Sequence, residues 1–250
     1  MITKIILSGC TGAMGRAIID ALKNESDLKI VAGICNSIDV KLGFPVYNRF
    51  SNIVEEADMI IDFSNKYLLE DILEYADRKN LKLILASTGY SSYDEEKIFA
   101  MSKKIAIFRS SNMSYGVHLM IKLTEYAVKL LGKDYEIEII EEHGGKKIDA
   151  PSGTVKMILG SIKNNVDYNP DMIYNREGVL NGRKKTDIGI HSIRGGGLIG
   201  NHTVMFVGEG DIIKIEHNTL SKEIYAKGAI NAAKFIVDKK KGYFKFDDLV

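Results

Sequence analysis

Cysteine is nearly absent from this chain: Cys10 and Cys35 are the only two, and they form neither a CxxC pair nor a metal-like cluster. That usage points to reduced thiols rather than a disulfide framework. The five histidines are scattered, none at a metal-ligand spacing, so no metal is expected. Charge of one sign is lacking as well. With 34 Lys+Arg against 33 Asp+Glu, nothing in the balance calls for nucleic acid or an anionic membrane as partner. No apolar run approaches the roughly 18 residues that span a bilayer, and the amino terminus runs into a strand pattern without signal-peptide features. There is no internal repeat or low-complexity segment. The expectation is a cytoplasmic protein with a small-molecule partner, and 250 residues suffice for one large domain or two modest ones.

What is present begins with a strand pattern at Lys4-Ile5-Ile6-Leu7-Ser8, the glycine turn Gly9-Cys10-Thr11-Gly12-Ala13-Met14-Gly15, and a helical pattern through Leu22. In this GxxGxxG spacing the first glycine allows a tight turn, the second lets backbone approach a pyrophosphate, and the third permits close helix–strand packing. A second strand follows near residues 28–35. Dinucleotide-binding folds often end that strand with an acidic residue for the ribose, or add an arginine for a 2′-phosphate. Here Cys35 and Asn36 stand there instead. Lys41 or Ser37 could meet a phosphate and Asp39 a ribose; the sequence leaves NADH and NADPH both open.

Strand patterns at residues 59–63, 81–86 and 105–108 alternate with helical stretches at 67–78 and 94–101, which predicts a parallel sheet covered on both faces. Each strand ends in small polar residues: Ser64-Asn65, Ser87-Thr88-Gly89 and Ser110-Ser111-Asn112. Ordinary turn chemistry explains any one of these. Ligands of open parallel sheets bind beyond the carboxyl ends of the strands, so three in succession favour a cofactor crevice.

A helix over 115–131 carries the chain out of that domain. Beyond it, strands at 135–142, 188–193, 202–207 and 212–217 with a helix at 152–163 predict a more open, antiparallel or mixed sheet. The polar stretch 164–185 reads as a flexible loop or a subunit-contact arm. The run Arg194 to Gly200 reads as a hairpin loop, with Arg194 a charge near the site. His191, His202 and His217 fall on strands and His118 on a helix, where a hydrogen-bonded structural histidine is the default. A helix at 223–237 is amphipathic and suited to return to the first domain.

The chemistry is expected in Glu141 to Thr154. His143 and Lys147 lie in the loop leaving a strand, and Pro151 suits the first turn of a helix starting near Ala150. The amides of Ser152, Gly153 and Thr154 would then hold a carboxylate or phosphate, with an imidazole and an ammonium beside it. The plainer alternative makes Lys146 and Lys147 solvated loop charges and has His143 held by Glu141 or Glu142.

These residues resemble the bacterial dihydrodipicolinate reductases, also called 4-hydroxy-tetrahydrodipicolinate reductases, over nearly the whole chain. The likeness rests on the glycine turn, Ser87-Thr88-Gly89, Ser111 to Val117, Glu142-His143, the string Lys147-Ile148-Asp149-Ala150-Pro151-Ser152-Gly153-Thr154, His191 to Gly197, Gly200 to Thr203 and Ala226 to Ala229. It implies an α/β fold: a Rossmann-like parallel-sheet domain (1–114 and 221–250) and an α+β substrate and oligomerisation domain with an open mixed sheet (115–220), in a homotetramer. It implies NADPH or NADH as hydride source for the cyclic imine dicarboxylate formed from 4-hydroxy-tetrahydrodipicolinate by loss of water. His143 matches the family's proton donor/acceptor and Lys147 its proton donor. Gly153 and Thr154 match its carboxylate-binding residues, with Gly144, Ser152 and Lys222 as further substrate-side positions. Gly9, Cys10, Thr11, Gly12, Ala13, Met14, Ala86, Ser87, Thr88, Ser110, Ser111, Asn112 and Met113 match its cofactor loops. Three departures stand out. Gly144 replaces a second histidine that many members use on substrate, Lys222 replaces an arginine and loses its bidentate fork, and the acidic residue and arginine after the second strand are absent.

Overall fold

The computed structural model describes residues 2–37, 40–178 and 182–249, so Asp39 lies outside the described residues. The chain divides into two compact units, one of residues 1–114 with 222–250 and the other of residues 115–221.

The first unit is built on a seven-stranded parallel sheet. Its strands are β1 (Thr3–Ser8), β2 (Leu28–Ile34), β3 (Val46–Tyr47), β4 (Met59–Asp62), β5 (Lys82–Leu85), β6 (Ala106–Arg109) and β12 (Gly242–Phe244). They lie in the order β12-β6-β5-β4-β1-β2-β3. The central strands are short continuous apolar runs because both faces are covered. Ile5, Leu7, Met59, Ile61, Ile84 and Phe108 face α1 (Ala13–Leu22) and α6 (Glu223–Ile236). Ile6, Ile34, Ile60, Leu83, Leu85 and Ile107 share the other core with Ile72, Leu73 and Ala76 of α2 (Leu69–Lys79) and Ile98 of α3 (Ser92–Met101). Ser91 and Asp94 form a reciprocal capping box that starts α3. The two short edge strands β3 and β12 have no counterpart in the sequence reading, since two or three residues carry no period.

The second unit is a five-stranded mixed sheet in the order β11-β10-β7-β9-β8, with one face packed on α4 (Tyr115–Leu131) and α5 (Gly153–Asn165). Its strands are β7 (Glu136–His143), β8 (Asp171–Ile173), β9 (Asp187–Arg194), β10 (Asn201–Val207) and β11 (Ile212–Asn218). The alternation of β7 is complete: Ile137, Ile139 and Glu141 are buried while Glu136, Glu138, Ile140 and Glu142 are not.

Two local expectations are corrected. The run after Arg194 is not a hairpin loop, because β9 and β10 flank β7 on opposite sides, β9 parallel to it and β10 antiparallel. The segment must therefore pass over the end of β7, where His143 lies. The stretch 164–185 contains β8, paired with β9, and Arg176 and Arg183 tie it to Glu138, so of its two readings the flexible loop is the one corrected. Among the described residues no helix is long and apolar enough to cross a membrane.

Candidate active site

His143 is the last residue of β7 rather than a residue of the following loop. Strand alternation places it on the same face as Glu141, two residues earlier, and the imidazole Nδ1 pairs with a Glu141 carboxylate oxygen. Glu141 is 0% exposed. Arg194, at the end of the neighbouring parallel strand, grips it with a fork: Nη1 to Oε2 at 3.0 Å and Nη2 to Oε1 at 2.6 Å. Burial would raise the Glu141 carboxyl, but hydrogen bonds from Arg194, Ser192 and His143 outweigh it and hold the group below its ordinary range. His143 is itself lowered, by burial first, with Lys147 and Arg194 adding to the effect and Glu141 opposing it.

The chain after His143 turns back sharply. Gly144 donates its amide to Leu198 O at 2.8 Å, and Lys147 donates its own to Gly144 O at 3.0 Å. The Gly144 N–H is thus engaged with the glycine-rich crossing. A Cβ there would lie 3.1 Å from Leu198 O, so the glycine suits this close passage. Lys147 Nζ pairs with Asp149 Oδ1 at 2.6 Å, and Arg194 Nη2 donates to Asp149 O at 2.8 Å. One guanidinium therefore reaches both the carboxylate that holds His143 and the loop that carries Lys147. Lys146 is exposed, as the plainer reading has it.

Helix α5 begins later than expected. Ser152 is its N-cap, with Oγ accepting from Val155 N at 3.2 Å, so Pro151 precedes the helix instead of forming its first turn. The amides of Ser152, Gly153 and Thr154 thus belong to the N-cap and the first two positions of α5, where the helix itself supplies no acceptor. Ser152 is 2% exposed and its hydroxyl also meets His202 Nε2 at 3.0 Å. The His202 ring lies edge-to-face on His143, with centroids 5.3 Å apart. His202 is thereby a structural histidine between the cap and the imidazole; at 2% exposure it cannot stand in for the substrate-side histidine missing at Gly144.

Burial pulls His202 from its ordinary 6.5 to about 3. The fold favours its neutral form, so this contribution to stability is full above about pH 6.5 and declines as pH falls toward 3. His143 and His217 are lowered in the same direction. Replacing His202 with asparagine is therefore expected to remove about 1.4 kcal/mol of the stability lost between pH 7.5 and 5.5, read from urea midpoints at the two pH values. An identical loss in parent and variant would contradict this account.

In the first unit, Gly9 sits at φ 82° and a Cβ there would meet Phe63 O at 2.7 Å. A Cβ on Gly15 would lie 2.3 Å from Gly9 O, so this glycine lets α1 press on the turn. Gly12 is the N-cap of α1, with no side-chain cap and no acidic residue in the first turn. Gly12 and Ala13 are exposed and Thr11 and Met14 half-buried. That uncapped positive helix end fits a pyrophosphate. Cys10 differs: its thiol is fully buried in the core and pushed up to about 12 by burial and by Cys35, so only its backbone borders the turn. Ala86, Ser87, Ser110 and Met113 are buried too, and Ser111, Asn112 and Thr88 remain the more accessible members of their loops.

Asp62, which the sequence reading passed over, ties two of these loops together. Its carboxylate accepts from Ser64 N at 3.1 Å and from Ser87 Oγ at 2.6 Å. A buried Asp at the end of a parallel strand was the available signal. Cys35 donates its thiol to Ser37 O at 2.8 Å, while Asn36, Ser37 and Lys41 are exposed. Lys222 precedes α6 in the first unit.

The sequence matches the family descriptions "Dihydrodipicolinate reductase, N-terminus" over residues 3–113 and "Dihydrodipicolinate reductase, C-terminus" over residues 116–250. It is 39% identical to the 4-hydroxy-tetrahydrodipicolinate reductase of Clostridium novyi, covering 99% of this chain and 98% of that protein. It is 40% identical to the enzyme of the same name from Clostridium tetani, covering 99% and 96%. Its fold is shared with a dipicolinate-bound dihydrodipicolinate reductase from Paenisporosarcina sp. TG-14, at a TM-score of 0.79 and 19% identity over the whole of both chains. The turn, the loops and the His143–Lys147 segment thus occur in a chain that belongs, from end to end, to the dihydrodipicolinate reductase family.

Proposed function

We propose that this protein reduces 4-hydroxy-tetrahydrodipicolinate to tetrahydrodipicolinate with loss of water, in lysine and diaminopimelate biosynthesis, as a cytoplasmic homotetramer using NADPH or NADH. The observation that carries the reading is the joint tethering of His143 and Lys147 through Arg194, close to a capped helix start at Gly153 and Thr154. The first unit is assigned the cofactor, with Gly9 to Met14, Ala86 to Thr88 and Ser110 to Met113 forming its cradle. The second is assigned the substrate.

A nicotinamide cofactor bound at that cradle supplies the hydride. The remaining chemistry belongs to side chains. Reduction of a conjugated imine leaves negative charge at nitrogen or an enamine that needs a proton, and the Lys147 ammonium is a competent donor. His143, lowered by burial below its ordinary range and paired with Glu141, favours the neutral imidazole, which is suited to take up a proton and return it. Gly153 and Thr154, at the positive end of α5, are assigned one substrate carboxylate, and Lys222 supplies a further cation. Cations directed at developing negative charge should be the larger effect.

For the cofactor, no acidic side chain stands at Cys35 or Asn36 to repel a 2′-phosphate and no arginine stands there to select one. Side-by-side assays with NADH and NADPH are expected to give kcat/KM values within about tenfold of each other. A preference of a hundredfold or more would contradict the shared use. For the tetramer, the supporting feature is the sheet face of the second unit that α4 and α5 leave uncovered. It carries exposed Ile193 and Ile212 beside half-buried Ile140, Met205 and Val207. The proposed activity is tested directly with the precursor and NADPH, and with pyridine-2,6-dicarboxylate, a planar mimic of the product. Competitive inhibition by the mimic is expected; absence of turnover would end the proposal.

A further inference from the structure

We infer that Glu141 and Arg194 are positioning residues that fix which nitrogen of His143 exchanges protons and lock that imidazole to the Lys147 loop. The inference rests on His143 being the proton-transfer imidazole of the reading above, and goes beyond it by giving a buried carboxylate and its half-buried guanidinium partner a task in the reaction. An ionised carboxylate only accepts hydrogen bonds. Its contact with Nδ1 therefore places the ring hydrogen on Nδ1 and leaves the Nε2 lone pair as the exchanging site.

Glu141 can play this part only if it stays ionised at 0% exposure, where an unpartnered carboxylate would take up a proton. A protonated Glu141 could donate to Nδ1 and move the ring hydrogen to Nε2, the opposite arrangement. The Arg194 fork, at 3.0 and 2.6 Å, prevents that. The same guanidinium donates to Asp149 O at 2.8 Å, and Asp149 holds Lys147 at 2.6 Å. The groups that act most on His143 are Glu141, Lys147 and Arg194, with the neutral His202 against the ring, and of these Glu141 is the anion.

The test is Glu141→Gln in the full-length protein, with Glu141→Asp and His143→Asn beside it. With its amide oxygen toward Arg194, glutamine must donate to Nδ1 and reverse the tautomer. Turnover is expected to fall on the order of 10²-fold or more with cofactor affinity kept within about twofold, and Glu141→Asp to recover part of it. The acid limb of the pH–rate profile should move to lower pH, because an anion that favours the imidazolium has been removed. Ring-nitrogen NMR should show Nε2 unprotonated in the parent and Nδ1 unprotonated in the glutamine variant. A folded glutamine variant that turns over within a few fold of the parent, or keeps the parental tautomer and acid limb, overturns the positioning role alone. Near-parental turnover by His143→Asn would instead remove the imidazole from the reaction, and the inference with it.

Discussion

Lys147→Ala is expected to lower turnover on the order of 10²-fold or more while NADPH still binds. The ammonium is assigned both the proton for the reduced nitrogen and the positive charge that meets its developing negative charge, and alanine supplies neither. Stability should hardly change. Among the described residues Lys147 pairs with exposed Asp149 on a surface loop, and such pairs contribute little. The backbone N–H to Gly144 O survives the substitution, so the turn itself persists. The cofactor loops belong to the other unit, hence a fluorescence titration with NADPH should give a dissociation constant close to the parent's. Steady-state rates within a few fold of the parent would remove Lys147 from the proton-donor role.

The second large effect concerns a glycine that no ligand need touch. Gly228 lies in α6, where helix propensity alone favours alanine by roughly 0.8–1 kcal/mol. In the folded chain a Cβ there would lie 1.7 Å from Met113 O and 2.8 Å from Met113 C. Both are backbone atoms of a residue 1% exposed, so neither can yield cheaply. Gly228→Ala should therefore cost about 3 kcal/mol or more and weaken cofactor binding by displacing the loop that ends at Met113. The control is Gly160→Ala in α5, where nothing lies within 4 Å of the added carbon. That change should stabilise by about 0.5–1 kcal/mol. Urea midpoints for the two variants are expected to move in opposite directions; a stabilised Gly228→Ala protein would contradict the packing read here.

The principal elements were legible because their periods are long enough to register. The apolar runs of β1, β4, β5 and β6 and the alternation of β7 announce a doubly covered sheet and a half-covered one. Strands β3, β8 and β12 are too short to show a pattern and exist because a longer neighbour offers its edge. The run after Arg194 looked like a hairpin because strand order is not written locally: whether β10 returns beside β9 or crosses β7 depends on pairings far apart in sequence. The start of α5 was placed too early for a related reason. Proline suits a first turn, but Ser152 offers the better cap, and its hydroxyl is held by His202 from another strand.

The sequence by itself determined the two kinds of sheet, the glycine turn, and the nearness of His143 and Lys147, since four residues of separation keep both at the same end of β7. It could offer Glu141 only as one of two candidates for holding His143. Choosing Glu141 over Glu142 needed the strand's facing, and giving Arg194, which the sequence marks only as a charge near the site, that carboxylate 53 residues away as partner needed the parallel pairing of β7 with β9. The same holds for Gly228, whose necessity lies in the carbonyl it faces. Periodicity and short motifs act along the chain and survive in a string of letters. Buried charge pairing and close backbone approach act across it, and they come into being only when the sheet sets one strand beside another.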